Sequence, residues 1–190
     1  MSSRKAPRVL AVLVALVMSA LGVTVATSAP ASASPSTQGY VVCYTTAYAG
    51  PFGGYANQAA SIWNGSTNNV DLINCGTNLV IYYTYGGGSY AVRYSLGVGY
   101  VVIDYYQALQ YSPLRIMTHE IGHILGLADN YNGDCSLLMS GGSAGTGCTN
   151  PYPRWDEAAT VDYFFGSGLQ VNGTQIFKDS WPALKTAAVG

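Results

Sequence analysis

Residues 119–129 read His119-Glu120-Ile121-Gly122-His123-Ile124-Leu125-Gly126-Leu127-Ala128-Asp129, and His119 and His123 are the only histidines in the chain. Positions i and i+4 of a helix share a face, so a helix through this stretch turns both imidazoles toward one point. The requirement commits the segment to helix and the rest of the fold to supporting it. Glu120 falls roughly a quarter-turn away, beside the place of a water, which makes it a candidate general base and not a ligand. Gly126 stands where the helix has to stop if a third group is to reach back, because glycine takes the left-handed cap conformation without a Cβ penalty. Asp129 is the ligand that such a turn delivers. Catalytic zinc takes three protein ligands of N, O or S type and keeps one position open, and His119, His123 and Asp129 meet that count. A structural site is normally closed by four ligands, and no cysteine or fourth ligand stands beside these three.

Met1–Ala33 begins with Arg4, Lys5 and Arg8, runs apolar from Val9 to Ala26 and ends in Ala31-Ser32-Ala33. A basic start, an apolar stretch and small residues before a cleavage point describe an export signal. Ser19, Gly22 and Thr24 interrupt the run, which argues against a membrane anchor, and no later stretch is apolar for long enough to span a bilayer. The expectation is a soluble, secreted, extracellular chain of about 157 residues after processing, enough for one domain with its own core. Three of the eight basic residues leave with the signal, so five face nine acidic ones and no basic patch suggests nucleic acid. All 16 tyrosines follow the signal. Four cysteines, also all after it, suit an oxidising compartment and allow three pairings. Cys135–Cys148 and Cys43–Cys75 are the expected bonds, the first closing the loop after the metal segment and the second joining two predicted strands.

Periodicity predicts strands at Tyr40–Thr45, Val70–Ile73, Leu79–Tyr85, Tyr90–Tyr94 and Tyr100–Asp104, with a helix over Tyr55–Trp63 after the first. Val101-Val102-Ile103 suits a strand buried on both faces. Ser112 as N-cap and Pro113 at the first helical position start the metal-bearing helix, whose Leu114, Met117, Ile121, Ile124 and Leu125 form an apolar stripe. The stripe is expected to pack on the sheet and the histidines to face a cleft. A last helix is expected near Arg154–Phe165, and Asn172-Gly173 reads as a hairpin turn. The chain therefore reads as α/β (α+β), a twisted mixed five-stranded sheet with an active-site helix and a C-terminal helix. Residues 1–33 are the signal, 34–165 the catalytic domain, and 166–190 a C-terminal extension, a candidate β-hairpin of unassigned role.

The eleven-residue zinc segment, Cys135-Ser136-Leu137-Leu138-Met139-Ser140-Gly141-Gly142 and Cys148-Thr149-Asn150-Pro151-Tyr152-Pro153 together resemble the snapalysin family, small secreted bacterial neutral proteases of the metzincin clan. The resemblance covers roughly residues 40–165. It implies that His119, His123 and Asp129 hold one Zn²⁺, with aspartate in place of the third histidine usual in the clan. It makes Glu120 the catalytic base, Met139 the methionine of the Met-turn beneath the metal, and Tyr131 a stabiliser of the oxyanion. It also implies preference for an aromatic residue just after the scissile bond, in a pocket walled by the Met-turn and the Cys135–Cys148 loop. Ser112-Pro113-Leu114 stands where family members carry Asp-x-Thr at a calcium site, so Ca²⁺ is not expected there and is left open elsewhere. Cys43 and Cys75 form an added pair, and little chain separates the signal from the first strand to serve as a pro-segment.

The expected function is zinc-dependent endopeptidase activity on protein or peptide substrates by a monomer, with no nucleic-acid or membrane partner. Two alternatives stay open. One is a tyrosine-rich carbohydrate or cell-wall binding module with a degenerate zinc site, and the other a zinc amidohydrolase acting on peptidoglycan.

Overall fold

Parallel strands cannot be joined by a tight turn, and the chain answers that constraint at once by crossing from its first strand to its second through a helix. The computed structural model describes residues 39–169, 172–178 and 181; the export signal read at Met1–Ala33 lies outside them. In order the elements are β1 (Tyr40–Tyr48), α1 (Gly53–Ser66), β2 (Val70–Asn74), β3 (Leu79–Thr84), β4 (Tyr90–Ser95), β5 (Val98–Asp104), α2 (Tyr105–Gln110), α3 (Pro113–Ile124), α4 (Trp155–Gly166) and β6 (Asn172–Lys178). Short 3-10 segments occupy Gly50–Phe52 and Leu138–Ala144.

The sheet runs β2-β1-β3-β5-β4-β6. β1 is parallel to β2 and β3, and β3 to β5, whereas β4 lies antiparallel between β5 and β6. Leu96-Gly97 makes the β4–β5 hairpin, with Gly97 at φ 74° as a two-residue turn demands. Leu79 and Ile81 on β3, and Val101 and Ile103 on β5, alternate inward with period two and meet α1 and α3. Ala56, Ala59 and Ala60 keep α1 thin on its packed face, and Trp63 fills the space between α1 and α3, its Nε1 donating to the Thr118 carbonyl at 3.0 Å.

Five of the tyrosines belong to the other face. Tyr48, Tyr82 and Tyr100 form a row across β1, β3 and β5, with centroids 5.4 and 5.9 Å apart, and Tyr90 and Tyr94 of β4 each lie 6.1 Å from Tyr100. Inward-pointing aliphatics and outward-pointing tyrosines let one sheet have a dry side and a wetted aromatic side.

The five expected strands and three expected helices are present, and two elements differ. Asp104 caps α2, its side chain accepting from the backbone of Tyr106 and Gln107, and six helical residues were too few to show a period. The sheet has a sixth strand, because Asn172-Gly173 does not turn the chain. These two residues open β6, and among the described residues there is no second strand of a hairpin. Gly173 keeps a positive φ of 111°, so the turn-forming residue is accommodated inside an extended segment. Among the described residues no helix is long and apolar enough to cross a membrane.

Candidate metal centre

Helix α3 starts as its sequence requires. The Ser112 side chain accepts the Arg115 N–H at 3.3 Å, and Pro113 occupies the first turn, where its missing N–H costs nothing. Its end sets the geometry of the site. Gly126, at φ 113°, donates to the His123 carbonyl at 3.1 Å, and Leu127 donates to the Gly122 carbonyl at 3.0 Å. That pair of bonds is a Schellman cap. It folds the chain back so that Asp129 returns over the helix. A Cβ on Gly126 would meet the Phe164 ring at 2.6 Å, so space as well as conformation reserves the position for glycine.

Each histidine is held by its other nitrogen. His119 Nδ1 lies 2.9 Å from the Leu138 carbonyl and His123 Nδ1 3.0 Å from the Leu127 carbonyl. Carbonyls only accept, so each Nδ1 carries the proton and each Nε2 presents its lone pair, the arrangement that orients metal-binding imidazoles. Both Nε2 atoms lie 3.4 Å from Asp129 Oδ1, and the ligand atoms of all three residues fall within 4.8 Å of one another. Tetrahedral ligands about 2.0–2.1 Å from zinc sit about 3.3 Å apart. The donor set and its spacing therefore fit a zinc ion. Glu120, His119 and His123 are fully buried, and Asp129 retains some exposure.

The floor is the segment Leu138–Ala144. A Cβ on Gly122 would meet Met139 Sδ at 2.9 Å and Trp63 Cζ2 at 3.2 Å, which puts the methionine directly against the turn of α3 between the two histidines. Gly141, at φ 53°, brings the chain past His119, and a Cβ there would lie 3.2 Å from His119 Cε1 and 3.1 Å from Tyr131 Cε1. Tyr131 is half exposed beside this turn. The disulfides Cys135–Cys148 and Cys43–Cys75 are both formed, the first closing the loop that contains the floor.

Three supporting groups had no visible signal in the sequence. The buried Arg115 guanidinium donates to the carbonyls of Asn150 at 2.6 Å and Leu137 at 2.9 Å and to Ser140 Oγ at 3.0 Å, and burial lowers its pKa while Glu157 acts against that. Glu157 accepts the N–H groups of Leu138 at 3.0 Å and Met139 at 2.8 Å. A long cation on an apolar stripe and an acid in the first turn of α4 look like ordinary surface residues in one dimension. The third group is the C-terminal segment. Phe177 stacks on His123 with centroids 4.2 Å apart, and the Trp181 ring lies 5.4 Å from that of His119. The histidines, read as facing a cleft, lie beneath this cover.

A two-histidine helix with a returning aspartate, set against a mixed sheet over a methionine turn, gives the chain a metzincin-like fold with a His-His-Asp group that could hold a metal ion. The chain belongs to the Streptomyces extracellular neutral proteinase (M7) family, whose model matches residues 39–168. It is 41% identical over 143 residues to an "Extracellular small neutral protease" of Streptomyces lividans, covering 73% of this chain and 63% of that one. Proteins of the same description from Streptomyces coelicolor and Streptomyces caespitosus are 41% identical over 141 residues and 47% over 113, covering 65% and 85% of their own lengths. The chain thus spans just under two thirds of the first two relatives.

Proposed function

We propose that this chain is a secreted zinc endopeptidase. The observation that carries the reading is the convergence of His119 Nε2, His123 Nε2 and Asp129 Oδ1 at the end of α3, with the buried Glu120 next to His119 in the chain. Membership of a family described as extracellular neutral proteinases, together with two disulfides, supports both the activity and the export.

Zinc held by the three side chains would supply Lewis acidity toward a carbonyl and toward water. Glu120, one residue along α3 from His119, accepts a proton from the attacking water as the C–O bond forms, and returns it to the amine as the peptide C–N bond breaks. Burial of Glu120 keeps bulk water from competing for that proton. The Tyr131 hydroxyl donates to the developing oxyanion, a contribution of about 3–4 kcal/mol where a single donor is well placed. The aromatic residue preferred after the scissile bond would sit against Met139 and the loop closed by Cys135–Cys148.

Glu120→Gln keeps the shape and loses the base. The substituted chain should bind zinc stoichiometrically, by metal analysis, and cleave a fluorogenic peptide at least ~100-fold more slowly. Unaltered cleavage would remove Glu120 from the mechanism, and cleavage insensitive to a chelator would remove zinc. One observation favours a second reading: the row Tyr48-Tyr82-Tyr100 is an aromatic platform of the kind that stacks on sugars. Retention on insoluble cell wall by a zinc-loaded chain without peptidase activity would favour that reading.

A further inference from the structure

We infer that β6, residues 172–178, together with Trp181 forms an internal inhibitor that lies in the substrate cleft as a peptide would, and that activity requires its displacement. The inference rests on the peptidase reading and adds its regulation. An extended peptide binds a sheet by adding a strand to its edge, and without the C-terminal segment that edge would be β4. β6 takes the place. It pairs antiparallel to β4 with Tyr90 opposite Lys178, Ala91 opposite Phe177, Val92 opposite Ile176 and Arg93 opposite Gln175. The family match ends at residue 168, so this strand lies outside the shared domain.

Side chains alternate along β6 as strand geometry dictates, and Phe177 on the inward side reaches His123. Phe177 lies flat on His123, its ring plane within 10° of the imidazole, and the Arg93 guanidinium sits 5.0 Å from the same ring. Arg93 also donates to the His123 carbonyl and to the side chain of Gln175, so one buried cation ties the end of α3 to the added strand. Ile176, pointing the other way, is exposed. Trp181 closes the cover. It packs edge-on against Tyr111 at 5.1 Å, its carbonyl accepts from Gln107 Nε2 at 3.2 Å, and its Nε1 lies 3.4 Å from Glu120 Oε1 as donor.

The hydrogen bond from Trp181 to Glu120 Oε1 favours the charged carboxylate and so weakens it as a base, and a β4 edge paired with β6 has no backbone groups left for substrate. The segment therefore blocks binding and chemistry together. Because it is tethered, it competes at an effective concentration on the order of millimolar, which ordinary peptide substrates do not exceed.

The test uses the zinc-loaded full-length chain beside two full-length variants, Trp181→Ala and the double variant Ile176→Pro/Trp181→Ala. Peptide hydrolysis and hydrogen exchange of the β4 amides are measured on all three. If the cleft is open only about a tenth of the time, release should raise kcat/KM about tenfold, with faster β4 exchange in the double variant. A synthetic peptide with the sequence of residues 172–181 should inhibit the double variant competitively. Equal, measurable rates in all three chains would overturn the inhibitory role and leave the peptidase reading standing. No turnover by any of them with zinc bound would overturn the peptidase reading and the inhibition with it. Unchanged β4 exchange in the double variant would show that the segment does not pair there, which also overturns the inference.

Discussion

The carbonyl oxygen of Leu138 accepts the Nδ1 proton of His119 at 2.9 Å, while the backbone N–H of the same leucine donates to Glu157 at 3.0 Å. One residue thus links a carboxylate on α4 to the His119 imidazole on α3. Glu157 also receives the N–H groups of Met139 and Arg154. Hydrogen bonds to a charged group contribute about 1.5–3 kcal/mol each, and truncation leaves buried donors without their acceptor. Glu157→Ala should therefore lower stability by about 3 kcal/mol in urea unfolding. It should also weaken zinc about 10–100-fold in a chelator competition, the usual cost of losing an outer support of a ligand. A stable variant with native zinc affinity would show that the α4 carboxylate does not position His119.

Gly122 is the point of closest approach between α3, Met139 and Trp63. A methyl group there meets a sulfur at 2.9 Å and an indole carbon at 3.2 Å, inside ordinary contact. Overpacking a well-filled site costs about 1–3 kcal/mol. Gly122→Ala should lose stability in that range, although alanine is the better helix former by about 1 kcal/mol at an open position. The sign of the measured change decides whether the floor is rigid, since a yielding floor would make the substitution neutral or stabilising.

How much of this could be read from the chain depended on the range of each interaction. The helix α3, its serine cap, its glycine stop and the convergence of His119, His123 and Asp129 were legible because i, i+4 spacing and cap chemistry are local. The five strands of the shared domain were legible from alternation and from β-branched or aromatic runs such as Val101-Val102-Ile103. The ties of Arg115 and Glu157 to the turn beneath the histidines were not, because they run mainly to backbone groups 18 to 35 residues away, which no side-chain pattern marks. The antiparallel pairing of β6 with β4 joins positions 77 to 88 apart, and Asn172-Gly173 pointed toward a local hairpin instead. Phe177 and Trp181 lie in a segment with few periodic residues, so nothing short of the fold placed them over His123 and His119.

Acid should weaken the loop around the site through exposed carboxylates. The Asp134 carboxyl is held below its ordinary value chiefly by the Ser136 N–H, and that of Asp156 by hydrogen bonds from Arg154, whose Nη2 lies 2.6 Å away. A carboxyl depressed in the folded state contributes stability above its unfolded pKa of about 3.9 and loses it as pH falls through the folded value. The melting temperature should therefore drop between about pH 5 and about pH 3, and Asp156→Asn should flatten part of that drop. Both groups face solvent, so the difference should be small and shrink with added salt. Parallel acid profiles of the variant and the unaltered chain would remove the Arg154–Asp156 pair from the account.

The two disulfides should separate stability from metal binding. Cys43–Cys75 spans 32 residues and ties β1 to the end of β2, away from the zinc ligands; Cys135–Cys148 spans 13 and encloses Leu137, Leu138, Met139 and Ser140. Chain entropy makes the longer loop worth nearly 4 kcal/mol and the shorter about 3 kcal/mol. Replacing Cys43 and Cys75 by serine should thus cost more in stability yet leave zinc affinity within about twofold, since effects at distant sites seldom couple. Replacing Cys135 and Cys148 should cost less in stability but weaken zinc about tenfold or more, because the Leu138 carbonyl that orients His119 is freed to move. Urea unfolding and chelator competition on the two serine pairs read both quantities. Equal loss of zinc affinity in both would show that the metal centre responds to global stability and not to the loop that supports it.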